Sequence, residues 1–220
     1  MAQSTPNLVT LTDPKSEAAE AYRALRVNLA FTSLDRDLQA FVVAPPAVAG
    51  LEPNVAANLA VVTAQAGLQV CLVDADLRRP TLHTLFDVAQ EPGLTTVMLG
   101  QAEPDALPLA PTGVPGLSLL PSGALPPNPA DILGSQRMKD LLERLKAAVD
   151  VVILQAPPVT VAVDAAVLAA QTDGLLLVVR TGHTRHDRVA QAKELLERFH
   201  ARILGTVLTD APRHGLLTGY

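Results

Sequence analysis

Six short apolar runs limit the architectures open to this chain: Phe41 to Val43, Val70 to Val73, Leu117 to Leu120, Val151 to Leu154, Leu175 to Val179 and Ile203 to Leu208. Several lack the polar alternation of a strand with one wet face, so they suit strands covered on both sides. Between them, segments near Val55 to Ala66, Ser135 to Ala148, Val163 to Ala170 and Thr184 to Phe199 carry apolar residues at helical spacing. This alternation predicts an α/β fold, a doubly wound and mostly parallel sheet flanked by helices with right-handed crossovers. Ligands of such sheets sit beyond the carboxyl ends of the strands. Here those ends carry Ala44, Asp74, Gln155, Arg180 and Asp210. One more helix is predicted from Ser16 to Ser33, with Ala21, Leu25 and Leu29 on one face and Ser16 as its cap. The chain is long enough, at 220 residues and 49% hydrophobic, to bury one substantial core. The expected division is a flexible N-terminus over 1–15, a single domain over 16–210 and a short tail over 211–220. Within the domain, Pro104 to Pro129 reads as a proline-rich loop interrupted by the strand at Leu117 to Leu120.

The first strand leads into Ala44-Pro45-Pro46-Ala47-Val48-Ala49-Gly50-Leu51-Glu52-Pro53-Asn54 and then an alanine-rich helix. Strand, loop and helix in that order are the setting of a phosphate-binding loop, G-x-x-x-x-G-K-[ST]. In a working loop backbone N–H groups close around the phosphates, lysine reaches the β and γ oxygens, and a hydroxyl holds Mg²⁺. This loop has one glycine, no lysine and no hydroxyl, and no lysine occurs between Lys15 and Lys139. Pro53 offers no N–H, yet proline is well tolerated in the first turn of a helix. The substitutions keep the helix start and remove the anion site.

Charge and composition exclude other functions. A net charge of −5 with no dense basic block is no footprint for nucleic acid. Aromatic residues make up 3% with no tryptophan, so base- or sugar-stacking platforms are not expected. Cys71, the single cysteine, lies in an apolar run and reads as a core residue in a reducing compartment. No apolar stretch reaches the roughly 18 residues of a membrane span, and Met1-Ala2-Gln3-Ser4 opens no secretory leader, so a cytoplasmic protein is expected. The five histidines are scattered, and no zinc or other metal site is expected from them.

Four motifs follow one another in order: Glu20-Ala21-Tyr22-Arg23-Ala24-Leu25-Arg26, Asp74-Ala75-Asp76-Leu77-Arg78-Arg79-Pro80, Pro121-Ser122-Gly123 with Pro126-Pro127-Asn128-Pro129, and Ala156-Pro157-Pro158-Val159. With them the chain resembles, from about Ser16 to Asp210, the cytoplasmic domain of the bacterial tyrosine kinases of capsule and exopolysaccharide biosynthesis, relatives of the MinD and ParA ATPases. The resemblance places the family's lysine on Glu52, its Mg²⁺-binding hydroxyl on Pro53 and the preceding glycine on Leu51; a shift of one residue puts Leu51 at the lysine position. Lys⁺ replaced by Glu⁻ turns an attraction into a repulsion, each of order 4 kcal/mol at about 4 Å and an effective dielectric near 20. Asp74 and Asp76 match the paired carboxylates that the family uses for Mg²⁺ and for activating a tyrosine hydroxyl. A third carboxylate of the family is replaced by Gln155. The family's tail carries a tyrosine cluster, whereas this one ends in Tyr220 alone.

The resemblance implies a catalytically silent pseudokinase that keeps the fold without nucleotide turnover and acts as a scaffold or regulator. No cofactor is expected. Asp74 and Asp76 then cap turns or pair with Arg78 and Arg79, and remain only as residual catalytic candidates. Glu20, Arg23 and Arg26 match the motif through which the family self-associates. Further partners implied are a membrane-anchored chain-length adaptor and an active kinase paralogue, which would place the protein at the inner membrane through a partner. The alternative is an active tyrosine autokinase or ATPase with ATP and Mg²⁺ in a rebuilt site, where Arg78, Arg79 or Arg180 stands in for the lysine. A MinD-like or ParA-like positioning protein is a third reading, weakened by Ala44-Pro45-Pro46 where those relatives carry an additional lysine.

Overall fold

In a computed structural model, which describes residues 7–32, 38–48, 54–101 and 107–211, the apolar runs become the strands of one sheet. Among the described residues these strands are β1 (Ala40–Ala44), β2 (Val70–Asp74), β3 (Ala110–Pro111), β4 (Leu117–Leu120), β5 (Val151–Gln155), β6 (Leu175–Arg180) and β7 (Ile203–Thr209). Their order across the sheet is β3-β4-β2-β5-β1-β6-β7. All neighbours run parallel except β3, which pairs antiparallel with β4. The chain moves outward from β1 to β2 and β4, returns to lay β5 between β2 and β1, then crosses to β6 on the far side. That reversal opens a crevice above the carboxyl ends of β1, β2 and β5.

Each central strand is buried on both faces, and successive side chains alternate between two separate cores. Val42, Cys71, Val73, Val152, Leu154 and Leu177 face one core with Met138, Leu141 and Leu145 of helix α7 (Gln136–Ala148), Leu168 of α8 (Asp164–Ala169) and Leu196 of α9 (His186–Arg198). Leu94 of α5 (Leu94–Met98) and Leu133 of α6 (Pro129–Leu133) join that core. Phe41, Val43, Leu72, Ile153, Leu176 and Val178 face the other, with Leu29 of α2 (Glu17–Thr32), Leu59 of α3 (Asn54–Gln65) and Leu82 of α4 (Leu82–Leu85). Helix α3 has no charged residue and is buried from Val55 to Ala64. It can be apolar all round because the sheet covers one side and α2 packs on another. Ser16 caps α2 as its sequence position predicts, its Oγ accepting the N–H of Ala19 at 3.2 Å.

Two expectations need correction. Within 7–15 the chain has structure where a flexible N-terminus is expected: Val9–Thr12 forms the short helix α1, Leu8 is fully buried, and Thr10 donates to Asn58 Oδ1 from its N–H at 3.1 Å and its hydroxyl at 2.8 Å. Asn58 lies in the middle of α3 with only the Asn54 carbonyl as local partner, so the segment satisfies an otherwise unpaired buried oxygen. The stretch Pro104 to Pro129 is also less loop-like than its prolines imply, since β3 adds an antiparallel strand to β4 and Pro129 opens α6, where its missing N–H costs nothing.

Cys71 is the core residue its neighbours predict, with no exposed surface, and burial pushes its thiol up to about 12. A thiol-specific chromogenic reagent is expected to leave it unmodified in the folded protein and to react in full in denaturant. Rapid labelling of native protein would contradict this placement.

Candidate functional site

The crevice is organised by the turn after β2. Asp74, the last residue of that strand, is fully buried, and its Oδ2 accepts the N–H groups of Thr81 at 3.0 Å and Leu82 at 2.9 Å. It thereby caps α4, a one-turn helix whose own cap residue, Thr81, makes no side-chain cap bond. Asp76 Oδ1 accepts the N–H groups of Arg78 at 3.2 Å and Arg79 at 3.0 Å, a turn in which a short acid bonds to backbone two and three residues on. Both carboxylates therefore spend an oxygen on their own chain. Burial pushes Asp74 up to about 7, against the bonds from Leu82 and Thr81, and the Asp76 carboxylate adds to the rise. Asp76 is raised as well, first by burial and then by the Asp164 carboxylate, with the N–H groups of Arg79 and Arg78 and the Arg79 charge opposing.

Sequence reasoning missed Asp164. It is fully buried at the start of α8 and takes a forked pair of bonds from Arg78, Nε to Oδ2 at 2.8 Å and Nη2 to Oδ1 at 3.1 Å. This raises the Arg78 guanidinium further above its ordinary value, through the bond and the charge of Asp164. The sequence signal was an acid in the first turn of an alanine-rich helix, where a negative charge meets the positive helix end. Arg78 is thus committed to a carboxylate. Arg180, at the end of β6, is committed too, pairing with Asp210 at 2.6 Å. Arg79 is exposed and contributes charge to Asp76.

Gln155 closes β5 directly beside Asp74 in the parallel register. Its Nε2 donates to Thr81 Oγ1 at 3.1 Å, while its Oε1 and Asp74 Oδ1 are both buried without a partner. The loop that follows β5 is tied to the loop that follows β1, Val159 N–H to the Pro45 carbonyl at 2.9 Å and Thr160 N–H to the Pro46 carbonyl at 3.0 Å. Gly50, Leu51, Glu52 and Pro53 lie outside the described residues; Asn54 is the first residue of α3. Tyr220 also lies outside them.

The association motif sits elsewhere. Glu20 and Arg23 pair within α2 at 2.8 Å, and Arg23 also donates to the Pro14 carbonyl at 2.5 Å. Arg26 lines a groove of about 520 Å³ at the opposite edge of the sheet, beside Gln39, Gln69 and Asp150 near the starts of β1, β2 and β5. The structure brings Asp74, Asp76, Arg78, Arg79 and Gln155 together and leaves Glu20, Arg23 and Arg26 on another surface.

These residues leave a divalent cation few free oxygens. Mg²⁺ demands near-octahedral oxygen ligands and keeps several waters. Asp74 and Asp76 each use an oxygen for backbone N–H groups, an amide stands at the third position, and the unpartnered Asp74 Oδ1 is buried away from solvent. Among the described residues no group of three or more histidine, cysteine, aspartate or glutamate side chains is placed to hold a metal.

The ParA family model, described as NUBPL iron-transfer P-loop NTPase, matches residues 52–209. Tyrosine-protein kinase YwqD of Bacillus subtilis is 39% identical over 202 residues, 92% of this chain and 85% of that protein. The chain belongs to the bacterial tyrosine kinases. Two solved structures share the fold. The chimerical protein CapA2B2 superposes with a TM-score of 0.88 at 33% identity, covering 94% of this chain and 90% of that one. The kinase domain of the Escherichia coli tyrosine kinase ETK does so at 0.87 and 30%, covering 100% and 88%. As a bacterial tyrosine kinase relative the chain carries its acids at the strand ends where a P-loop fold places ligands. No helix among the described residues is long and apolar enough to cross a membrane.

Proposed function

We propose that this chain is a pseudokinase of the bacterial tyrosine kinase family, a scaffold or regulator in capsule or exopolysaccharide biosynthesis that does not turn over ATP. The observation that carries the reading is in the sequence: by family resemblance Glu52 or Leu51 falls where the lysine belongs, Pro53 where the hydroxyl belongs, and Gln155 where the third carboxylate belongs. One oxygen of each of Asp74 and Asp76 is already held by backbone N–H groups. The losses fall on ligand-binding positions and the tail tyrosines, while the sheet, both cores and α2 are intact. Such a protein works through its surfaces. By family analogy its partners are further copies of itself through Glu20, Arg23 and Arg26, a membrane-anchored chain-length adaptor, or an active kinase paralogue. It would act in the cytoplasm, at the inner membrane through such a partner.

Calorimetric titration with ATP and Mg²⁺ is expected to give no saturable heat. Clear micromolar binding would end the reading. One fact favours the active alternative, that the relative sharing 39% of its residues is named a tyrosine-protein kinase. That alternative predicts ATP hydrolysis abolished by Asp76→Asn. Because Arg78 and Arg180 are held by Asp164 and Asp210, it would have to recruit its phosphate cation from Arg79 or break one of those pairs.

A further inference from the structure

The two unpartnered oxygens at the ends of β2 and β5 belong to neighbouring side chains. Asp74 and Gln155 are register partners on adjacent parallel strands, so both project on the same face, the one that α3 and α4 cover. They also share Thr81, whose N–H donates to Asp74 Oδ2 at 3.0 Å and whose hydroxyl accepts from Gln155 Nε2 at 3.1 Å. In this arrangement Asp74 Oδ1 and Gln155 Oε1, on register-paired residues, are both buried without a hydrogen-bond partner. Each unmet acceptor carries the full cost of desolvation.

Turning the amide over removes both defects at once. The two ends of an amide are nearly the same size and differ in which one carries protons. With the ends exchanged, Nε2 would be free to donate to Asp74 Oδ1 and Oε1 to accept the Thr81 hydroxyl proton. A cation bridging the two acceptors is one rival solution, but a magnesium ion retains waters for which this closed position leaves no exposed surface; a proton on Asp74 Oδ1 donated to Gln155 Oε1 is another, and raising the pH removes it.

We infer that Gln155 takes the place of a metal ion in this crevice, its side-chain amide bonding Asp74 and Thr81 so that the ends of β2 and β5 and the start of α4 are locked without a divalent cation. Gln155 is in this sense a positioning residue. The inference deepens the reading of a silent crevice and rests on it: the substitution that removes a metal ligand also supplies the donor that the remaining carboxylate needs.

The full chain can be tested without nucleotide. Above about pH 8, where the Asp74 carboxylate is ionised, Gln155→Leu, similar in size and more apolar, is expected to raise the unfolding equilibrium constant roughly tenfold or more, the effect of deleting a hydrogen bond to a charged group. If Gln155 merely filled space, leucine would be neutral or stabilising, and that result would overturn the inference. In the unsubstituted chain the Gln155 side-chain amide protons should exchange slowly by NMR, and Asp74→Asn should shift them. Exchange at the rate of a solvated glutamine would overturn it as well, and this readout does not depend on any variant folding. Millimolar Mg²⁺ or a chelator should leave the melting temperature and those amide signals unchanged; a response to the ion would assign the two acceptors to a cation instead. ATP binding with these results intact would sink the pseudokinase reading and spare the amide pair, whereas a failed amide test with no ATP binding would do the reverse.

Discussion

Gly93→Ala is expected to lower the melting temperature by roughly 6–12 °C, the equivalent of about 3 kcal/mol in a domain of this size. Gly93 sits where α5 meets the segment after β4, and a methyl group there would overlap Gly123 N and the Pro121 carbonyl oxygen and come within 2.8 Å of the Pro121 carbonyl carbon. All three are backbone atoms. They are held in turn by Leu94 N–H to the Pro121 carbonyl at 2.7 Å, Thr95 N–H to the Ser122 carbonyl at 2.9 Å and Gly123 N–H to the Gln90 carbonyl at 3.0 Å. The methyl group can be accommodated only by breaking that clamp. Gly123→Ala should cost a similar amount for a different reason. Gly123 has φ +76°, where a side chain is strained, and its new methyl would run into Thr95 Oγ1. Removing that oxygen with Thr95→Ala should therefore recover part of the loss in Gly123→Ala and none of it in Gly93→Ala. Thermal unfolding of the four chains checks both statements, and equal rescue of the two glycine variants would show that the clamp has been misassigned.

What the sequence revealed and what it hid divide along a physical line. Strands such as Val70 to Val73 and Val151 to Leu154 were legible because a strand buried on both faces must be apolar at every position. Helix α7 was legible because its apolar residues recur at the period of one buried face. The place of the loop between β1 and α3 was legible from the apolar run before it and the alanine-rich helix after it. Hidden were the contacts between residues far apart in the chain: Arg78 with Asp164, 86 positions on, and Thr10 with Asn58, 48 positions on. Nothing local marks Asp164 as the partner of Arg78 rather than a solvated helix-start acid. Helix α4 was missed because four residues carry too little periodicity, and it exists because Asp74 caps it. The turn-capping role of Asp74 and Asp76 could be weighed from the sequence, but which oxygens remain for a ligand follows only from the hydrogen bonds.

Those bonds give Arg78→Ala the second large effect. Asp164 is fully buried while the Arg78 side chain is 42% exposed, so the pair is asymmetric. Deleting the guanidinium leaves a carboxylate in the core with no counter-ion, a change that costs about 3–5 kcal/mol in a wholly buried pair. Solvent around Arg78 screens part of this, and a loss of about 2 kcal/mol is expected. Arg78→Lys keeps the charge but not the fork, so it should recover roughly half of that loss, about 1 kcal/mol. Asp164→Asn removes the buried charge itself, and adding it to Arg78→Ala should cost less than the sum of the two single changes, with a coupling of about 1–2 kcal/mol. Urea unfolding measures all four, and strict additivity would mean that the two side chains do not sense each other in solution. The pair joins the turn after β2 to the start of α8, across the mouth of the crevice. Asp164→Asn frees Arg78 beside Arg79 in the turn after β2, so this variant is also the one in which nucleotide affinity should first return. If Asp164→Asn binds no more ATP than the parent chain while remaining folded, the block lies in the loop around Glu52 and not in the commitment of Arg78.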